Sequence, residues 1–295
     1  MAKFSPTEAV FAGFRFARER PATILIWSAY LLVAFAVASI AMFDIGGDSM
    51  TALVIASQGS NPDPAQLMKL MQEVAPATLF AGLLIAVFGA VLSTAILRVR
   101  LTPGPHPWGG LRLGGDELRL LGATLLSAAL VLALELAIGL VLGLLAGVGV
   151  PPLAALIPGL LLIGAVLVRL SLVGVVSQAE GKIALGRAIR LTRKGFWRLL
   201  GAYVLLGGIA LVALFLMTIM FAFLMSAAAM ALGGGVNQLA LALQGNFAGL
   251  NPVMVLLYIA SNLAQVWLSV VVLCVFHSIG VEAYRAALAD QSPVV

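Results

Sequence analysis

Apolar side chains dominate six long stretches of this chain, residues 23–43, 77–97, 120–147, 151–176, 199–232 and 253–279, with polar residues gathered between them. Crossing a hydrocarbon core of about 30 Å takes about 20 helical residues, so each stretch can span a bilayer. The expected fold class is therefore all-α: a polytopic helical membrane protein of about six transmembrane helices plus interfacial amphipathic helices, read as a single membrane domain over residues 1–295. The fifth stretch is too long for a perpendicular helix. It is expected to tilt, break or project before Gly233, Gly234 and Gly235.

Between the spans the period changes to that of amphipathic helices. Over residues 5–20, Val10, Gly13, Phe14 and Ala17 share a face opposite Glu8, Ala12, Arg15 and Glu19. Over residues 182–197, Leu185, Ala188, Ile189, Thr192 and Phe196 line one side, and Arg187, Arg190, Lys194 and Arg198 the other. Both segments read as interfacial helices that lead into a span. Aligning Ala9 with Ala184 pairs Arg15 with Arg190 and Arg18 with Arg193, and the string RLLGA recurs at Arg119 and Arg198. Three helical hairpins, each entered through a basic segment, fit this pattern. In the loop over residues 44–76, Asp63 and Pro64 form an N-cap and first-turn pair, and Leu67, Leu70, Met71 and Val74 follow at helical spacing. A short amphipathic helix on the outer surface is expected there.

Composition supports the class and charge orients it. The chain is 62% hydrophobic and 10% charged, with a mean hydropathy of +1.12, far from the soluble average of about a quarter charged residues. An even number of spans puts both ends on one side. That side would hold Lys3, the arginines at 15, 18, 20, 98, 100, 112, 119, 187, 190, 193, 198 and 285, and Lys182 and Lys194, leaving Lys69 outside and Arg169 within a span. Positive residues concentrate on cytoplasmic loops, so the expected location is a bacterial inner membrane, multi-pass, with both termini cytoplasmic. The net charge of +5 could suggest nucleic acid, but the basic residues sit at the ends of apolar stretches. Anionic lipid headgroups of the cytoplasmic leaflet are the expected partners, with no nucleic acid; a protein partner is not readable. The first stretch reads as an uncleaved signal anchor, although Ala34, Ala36 and Ala38 resemble a cleavage pattern. The single cysteine, Cys274, cannot form an intrachain disulfide.

Candidate chemistry is sparse. Two histidines, His106 and His277, and the lack of HExxH, GxSxG or Walker patterns give no catalytic residue, no metal site and no cofactor. The pointed group is an intramembrane polar cluster: Glu135 in the third span, Arg169 in the fourth, and Asn262, Gln265 and Ser269 along the sixth. Gly139, Gly143 and Gly147 continue from Glu135 at four-residue spacing, which suggests a close helix interface, and Pro158 weakens the fourth helix by freeing a carbonyl. Two readings stay open. The cluster is interhelical glue, or it lines a hydrated path. A second set, Arg187, Arg190, Arg193 and Lys194 with Trp197 after them, suits contact with lipid headgroups.

The stretch over residues 169–206 carries Arg169, Leu170, Ser171 and Leu172 at a span end, then Glu180, a basic amphipathic helix, and Leu191, Thr192, Gly195, Trp197 and Arg198. In this it resembles uncharacterised bacterial six-span membrane proteins similar to the membrane domain attached to some glycerophosphoryl diester phosphodiesterases. The segment over residues 111–122, LRLGGDELRLLG, is similar to one found in alphaproteobacterial proteins of this kind. The resemblance implies architecture; the phosphodiesterase barrel and its acid and histidine motifs are not in this sequence. The expected function is that of a non-enzymatic accessory or scaffold in envelope or lipid homeostasis. A small transporter or lipid-handling channel built on the polar cluster is the alternative.

Overall fold

A computed structural model describes residues 4–58, 63–102, 104, 106–147, 152–232 and 251–290. Among the described residues the chain is helical, with no strand: α1 (Pro6–Glu19), α2 (Pro21–Gln58), α3 (Pro64–Leu101), a 3-10 turn (Pro107–Gly110), α4 (Gly115–Gly147), α5 (Pro152–Leu170), α6 (Val173–Glu180), α7 (Leu185–Arg193), α8 (Phe196–Ala231) and α9 (Pro252–Ala289). Six helical segments are long and apolar enough to cross a membrane, with hydropathy from 2.0 to 2.7, so the chain is a polytopic all-α membrane protein. Lys3, Pro151, and the expected end of the fifth span at Gly233 to Gly235 lie outside the described residues.

Proline and short polar side chains set where the helices begin. Pro6, Pro64 and Pro252 stand in first turns, where a missing N–H costs nothing, behind Ser5, Asp63 and Asn251, whose side chains accept from the amides of Glu8, Ala65 and Val253. The helices are longer than the apolar stretches. At 1.5 Å per residue, the 38 residues of α3 or α9 reach roughly 57 Å, well beyond a core of about 30 Å.

Three local expectations change. The Asp63 cap forms as expected, but no separate outer helix follows, because α3 runs through Pro76 to Leu101. Pro76 removes only the bond to the carbonyl of Gln72, an exposed residue, so the helix continues. Most of the expected loop over residues 44–58 is also helical, with one kink at Gly47. There φ is +50° and ψ −138°, a conformation that a side chain would oppose. Beyond the kink, Ser49 Oγ donates to Glu73 Oε2 at 2.8 Å. The fourth span is not continuous. It breaks at Ser171 and Leu172, where the Ser171 hydroxyl takes the carbonyl of Val168 at 2.7 Å and competes with the helix for it.

Contacts gather the chain into two compact units. One comprises Met1–Ser28, Gly164–Val175 and Gly186–Val295; the other comprises Ala29–Ile163 and Val176–Leu185. In the first, α1 packs on α9 and α8. Gly13 makes the approach possible: a Cβ built there would lie 2.6 Å from Val275 Cα. The buried face of α1 is Ala9, Val10, Gly13 and Phe16, rotated slightly from the expected one, with Phe14 and Ala17 half-buried. Phe16 stacks on the fully buried Trp27, their centroids 6.2 Å apart. A smaller core forms at the far end, where Met225, Ala229 and Met254 meet.

In the second unit, the end of α3 packs on α4 and the 3-10 turn, burying Leu92, Ala95, Ile96, Leu97, Leu120 and Ala123. Tyr30 Oη donates to the Phe88 carbonyl at 3.2 Å and crosses that ring edge-on. Within each unit, burial concentrates at the ends that carry arginine. The middles of α4 and α8 are bare, with 0% and 6% of their most apolar windows buried. Lipid is the solvent for those surfaces.

Gly13→Ala is expected to lower the stability of the detergent-solubilised protein by about 1–3 kcal/mol, because the new methyl meets backbone. Gly82→Ala, where a Cβ meets nothing within 4 Å, should be neutral or stabilising by up to about 1 kcal/mol. Thermal unfolding of the two variants side by side checks both.

Candidate functional site

The basic segment is built by two reversals of the chain. Gly181, at φ +68°, ends α6, and Ser177 Oγ accepts from the Ala184 amide at 3.2 Å. After α7, the Thr192 carbonyl accepts from the Gly195 amide at 3.1 Å, and α8 begins at Phe196. On α7, Ala188, Leu191 and Thr192 are buried, whereas Arg190 and Arg193 are exposed, as is Lys194 just after the helix, and Arg187 is half-buried. Trp197 follows, 78% exposed, its ring edge-on to Phe196.

Arg169 joins this segment. Its guanidinium carbon lies 5.9 Å from the Phe196 ring centroid, a cation–π contact. The sequence places Arg169 inside a span, but α5 ends one residue later, so it stands in a last turn, where helix carbonyls favour a cation. The result is a groove of about 570 Å³ lined by Ala165, Arg169, Arg193, Lys194, Gly195, Phe196, Trp197 and Arg198.

The rest of the expected polar cluster makes local contacts. Asn262 Nδ2 donates to the Tyr258 carbonyl at 2.8 Å, Gln265 Nε2 to Ser261 Oγ at 3.3 Å, and Ser269 Oγ to the Gln265 carbonyl at 2.8 Å. All three side chains are exposed, and each donates a hydrogen bond within α9 itself. Glu135, in the other unit, is exposed on α4. A Cβ at Gly139 or Gly143 would meet nothing within 4 Å, so the close approach expected on that face is not made there. Pro158 lies within α5 without ending it. His277 is buried against Phe276, with Nε2 unpartnered, and His106 Nε2 lies 2.9 Å from the Thr102 carbonyl.

One charged site was not singled out from the sequence. Arg98 and Glu117, side chains 9% and 5% exposed, form an ion pair, and Arg98 Nη1 also donates to the carbonyl of Gly110. Asp116 receives Arg98 at 3.4 Å and Arg112 and Arg119 at 3.1 Å each. Its carboxyl precedes the apolar stretch that begins at Leu120. Burial opposes its charge, but the hydrogen bonds from Arg112, Arg98 and Arg119 outweigh that and hold its pKa below the usual carboxylate value. The available signal was an acidic pair in the first turn of one helix after arginines in the last turn of the preceding one. Among the described residues, no three of His, Cys, Asp and Glu gather as metal ligands would.

No family model, curated protein or solved structure matches the chain. Fold and geometry together define a class: a multi-pass helical membrane protein with a buried ion pair in one unit and a cationic groove in the other.

Arg98→Met is expected to cost about 3–5 kcal/mol, since it leaves the buried Glu117 carboxylate unpaired, and Glu117→Leu should cost less, because Arg98 keeps Asp116 and the Gly110 carbonyl. The double variant should recover most of that loss, which thermal unfolding of all three can test. Because the pKa of Asp116 is depressed on folding, its contribution is full above the unfolded value of about 3.9 and is lost as pH falls through the lower folded one. Asp116→Asn should therefore flatten the fall in stability below about pH 4.

Proposed function

We propose that this is a non-enzymatic accessory or scaffold protein of a bacterial inner membrane, its termini cytoplasmic, which gathers anionic lipid at the inner leaflet. One observation carries the reading: the separation on α7, where Ala188, Leu191 and Thr192 turn inward and Arg190 and Arg193 stay exposed, with the exposed Lys194 and Trp197 just beyond its end. Basic residues near an anionic leaflet each contribute about 1 kcal/mol, and an indole favours the interface. The resemblance of residues 169–206 to bacterial six-span membrane proteins agrees with such a role without adding an activity to it. The transport alternative asks Glu135, Arg169, Asn262 and Gln265 to share a water path. Local hydrogen bonding along α9 accounts for the last two without one.

Two measurements test the proposal. Replacing Arg190 and Arg193 with Gln removes about 2 kcal/mol of attraction, so enrichment of phosphatidylglycerol around the protein in mixed nanodiscs should fall roughly 30-fold; unchanged enrichment would reject lipid gathering by α7. For orientation, the native Cys274 is fully buried, so Lys182→Cys supplies an accessible thiol. It should react with an impermeant maleimide only after the inner membrane is opened, and labelling in intact spheroplasts would reverse the topology.

A further inference from the structure

We infer that the apolar pocket where α3 meets the start of α4 holds an uncharged amphiphile, a long-chain alcohol, whose hydroxyl donates to Glu117 Oε2. The inference goes beyond the lipid-gathering reading of α7 and does not rest on it. Every residue of this pocket belongs to the other unit.

The pocket has a volume of about 270 Å³. Val87, Ala90 and Val91 form its α3 wall, and Leu113, Leu118 and Leu121 form the wall on the α4 side. Gly114 and Glu117 complete the lining, and Glu117 is the one ionisable side chain in it. The two oxygens of that buried carboxylate have different surroundings. Oε1 takes Arg98, which does not line the pocket. Oε2 is buried and receives no hydrogen bond from the protein. It lies on the side of Gly114, where a Cβ would come within 3.3 Å of it. The oxygen without a donor is therefore the one beside a lining residue.

A buried acceptor left without a partner costs about 1–3 kcal/mol, and more where it carries charge. A donor that enters along the pocket removes that cost, and charge decides which donor suits. Arg98 already meets the Glu117 carboxylate, and Arg98, Arg112 and Arg119 all reach the neighbouring Asp116. An ammonium head would bring a fourth cation to two carboxylates. A fatty acid would set a second negative group against Glu117. A hydroxyl donates without changing the balance. The walls specify the rest of the ligand. Six of the eight lining residues are Val, Ala or Leu, and Leu113 and Leu118 are exposed at the rim. Val87 and Arg98 are separated by about 16 Å of helix, so a chain laid along α3 runs from the charged end into the apolar stretch. A plain acyl chain could cover the same walls, but it would leave Oε2 as it stands.

The test uses full-length protein in phosphatidylethanolamine nanodiscs doped in turn with oleyl alcohol, oleyl methyl ether or oleylamine, with retained amphiphile read by native mass spectrometry. The alcohol should be retained about tenfold better than the ether, which lacks the donor, the effect of one hydrogen bond to a charged group. It should also be retained better than the amine. Gly114→Ala sets a methyl against Oε2 while leaving Arg98 and Glu117 in place, and Gly114 is not among the glycines with positive φ, so the backbone accepts alanine. That variant should lose the preference for alcohol over ether. Glu117→Gln should lose it too, because a Gln whose oxygen stays on Arg98 turns an N–H toward the pocket, and an N–H donates to alcohol and ether alike. If the Glu117 variant does not fold, Gly114→Ala decides alone. Equal retention of alcohol and ether by the unaltered protein would overturn the inference, and so would stronger retention of the amine. An alcohol preference that survives Gly114→Ala would place the bound alcohol elsewhere and overturn it as well. Phosphatidylglycerol enrichment is read separately, so this inference and the reading of α7 fail independently.

Discussion

A charged side chain at the centre of a bilayer costs about 2.5–3.5 kcal/mol on insertion scales, and that penalty organises this molecule. The arginines and lysines sit where helices leave the apolar slab, and the helices overshoot the slab to carry them out. Outside it, water restores a hydrophobic driving force that lipid cannot supply between helices. Burial follows the same boundary. Ala95, Ile96 and Leu97 near one basic end, and Val270, Cys274, Val275 and Ile279 near another, are enclosed, while the flanks of α4 and α8 stay bare. Small residues then set how closely elements approach, as Gly13 does against Val275 and Gly280 against Val175.

Two arginines show opposite solutions to that constraint. Arg98 is buried and meets Glu117 directly, so its charge is neutralised by the chain itself and the pair fixes the end of α3 to the start of α4. Arg169 is exposed, finds an aromatic face, and joins further cations. A buried arginine with its carboxylate closes a structure. An exposed one on an aromatic face stays accessible to an outside anion.

Much of this architecture was legible in the sequence, because lipid leaves few ways to satisfy a backbone and a long apolar stretch has to be helix. The caps at Ser5, Asp63 and Asn251 rest on equally local chemistry. Less legible were outcomes decided by single competing bonds. Pro76 suggests a boundary and makes none, since the carbonyl it frees is exposed; Ser171 suggests nothing and yet its hydroxyl accompanies the break that leaves Arg169 in a last turn. Arg98 and Glu117 are brought together by the loop between α3 and α4, whose course no periodicity encodes. The glycines after Glu135 carry the spacing of a helix interface, but spacing gives only the permission to approach. At Gly139 and Gly143 nothing takes it up.

The two amphipathic helices that precede spans make the same point about charge. Aligned at Ala9 and Ala184, α1 and α7 share the pattern of arginines and the turn into a long helix, yet they meet different surroundings. In α1, Glu8 and Glu19 stand among Arg15 and Arg18, so its polar face has little net charge and its apolar face is spent on protein, clamped to α9 at Gly13. In α7, Arg187, Arg190 and Arg193 have no acid among them, and Lys194 and Arg198 continue the run. A neutral face next to an anionic surface gains nothing from being there, whereas an uncompensated one gains with each added cation. The acids of α1 therefore make it a structural clamp. Their absence from α7 leaves Arg190 and Arg193 exposed on a helix that carries no acid of its own, a face suited to an anionic surface.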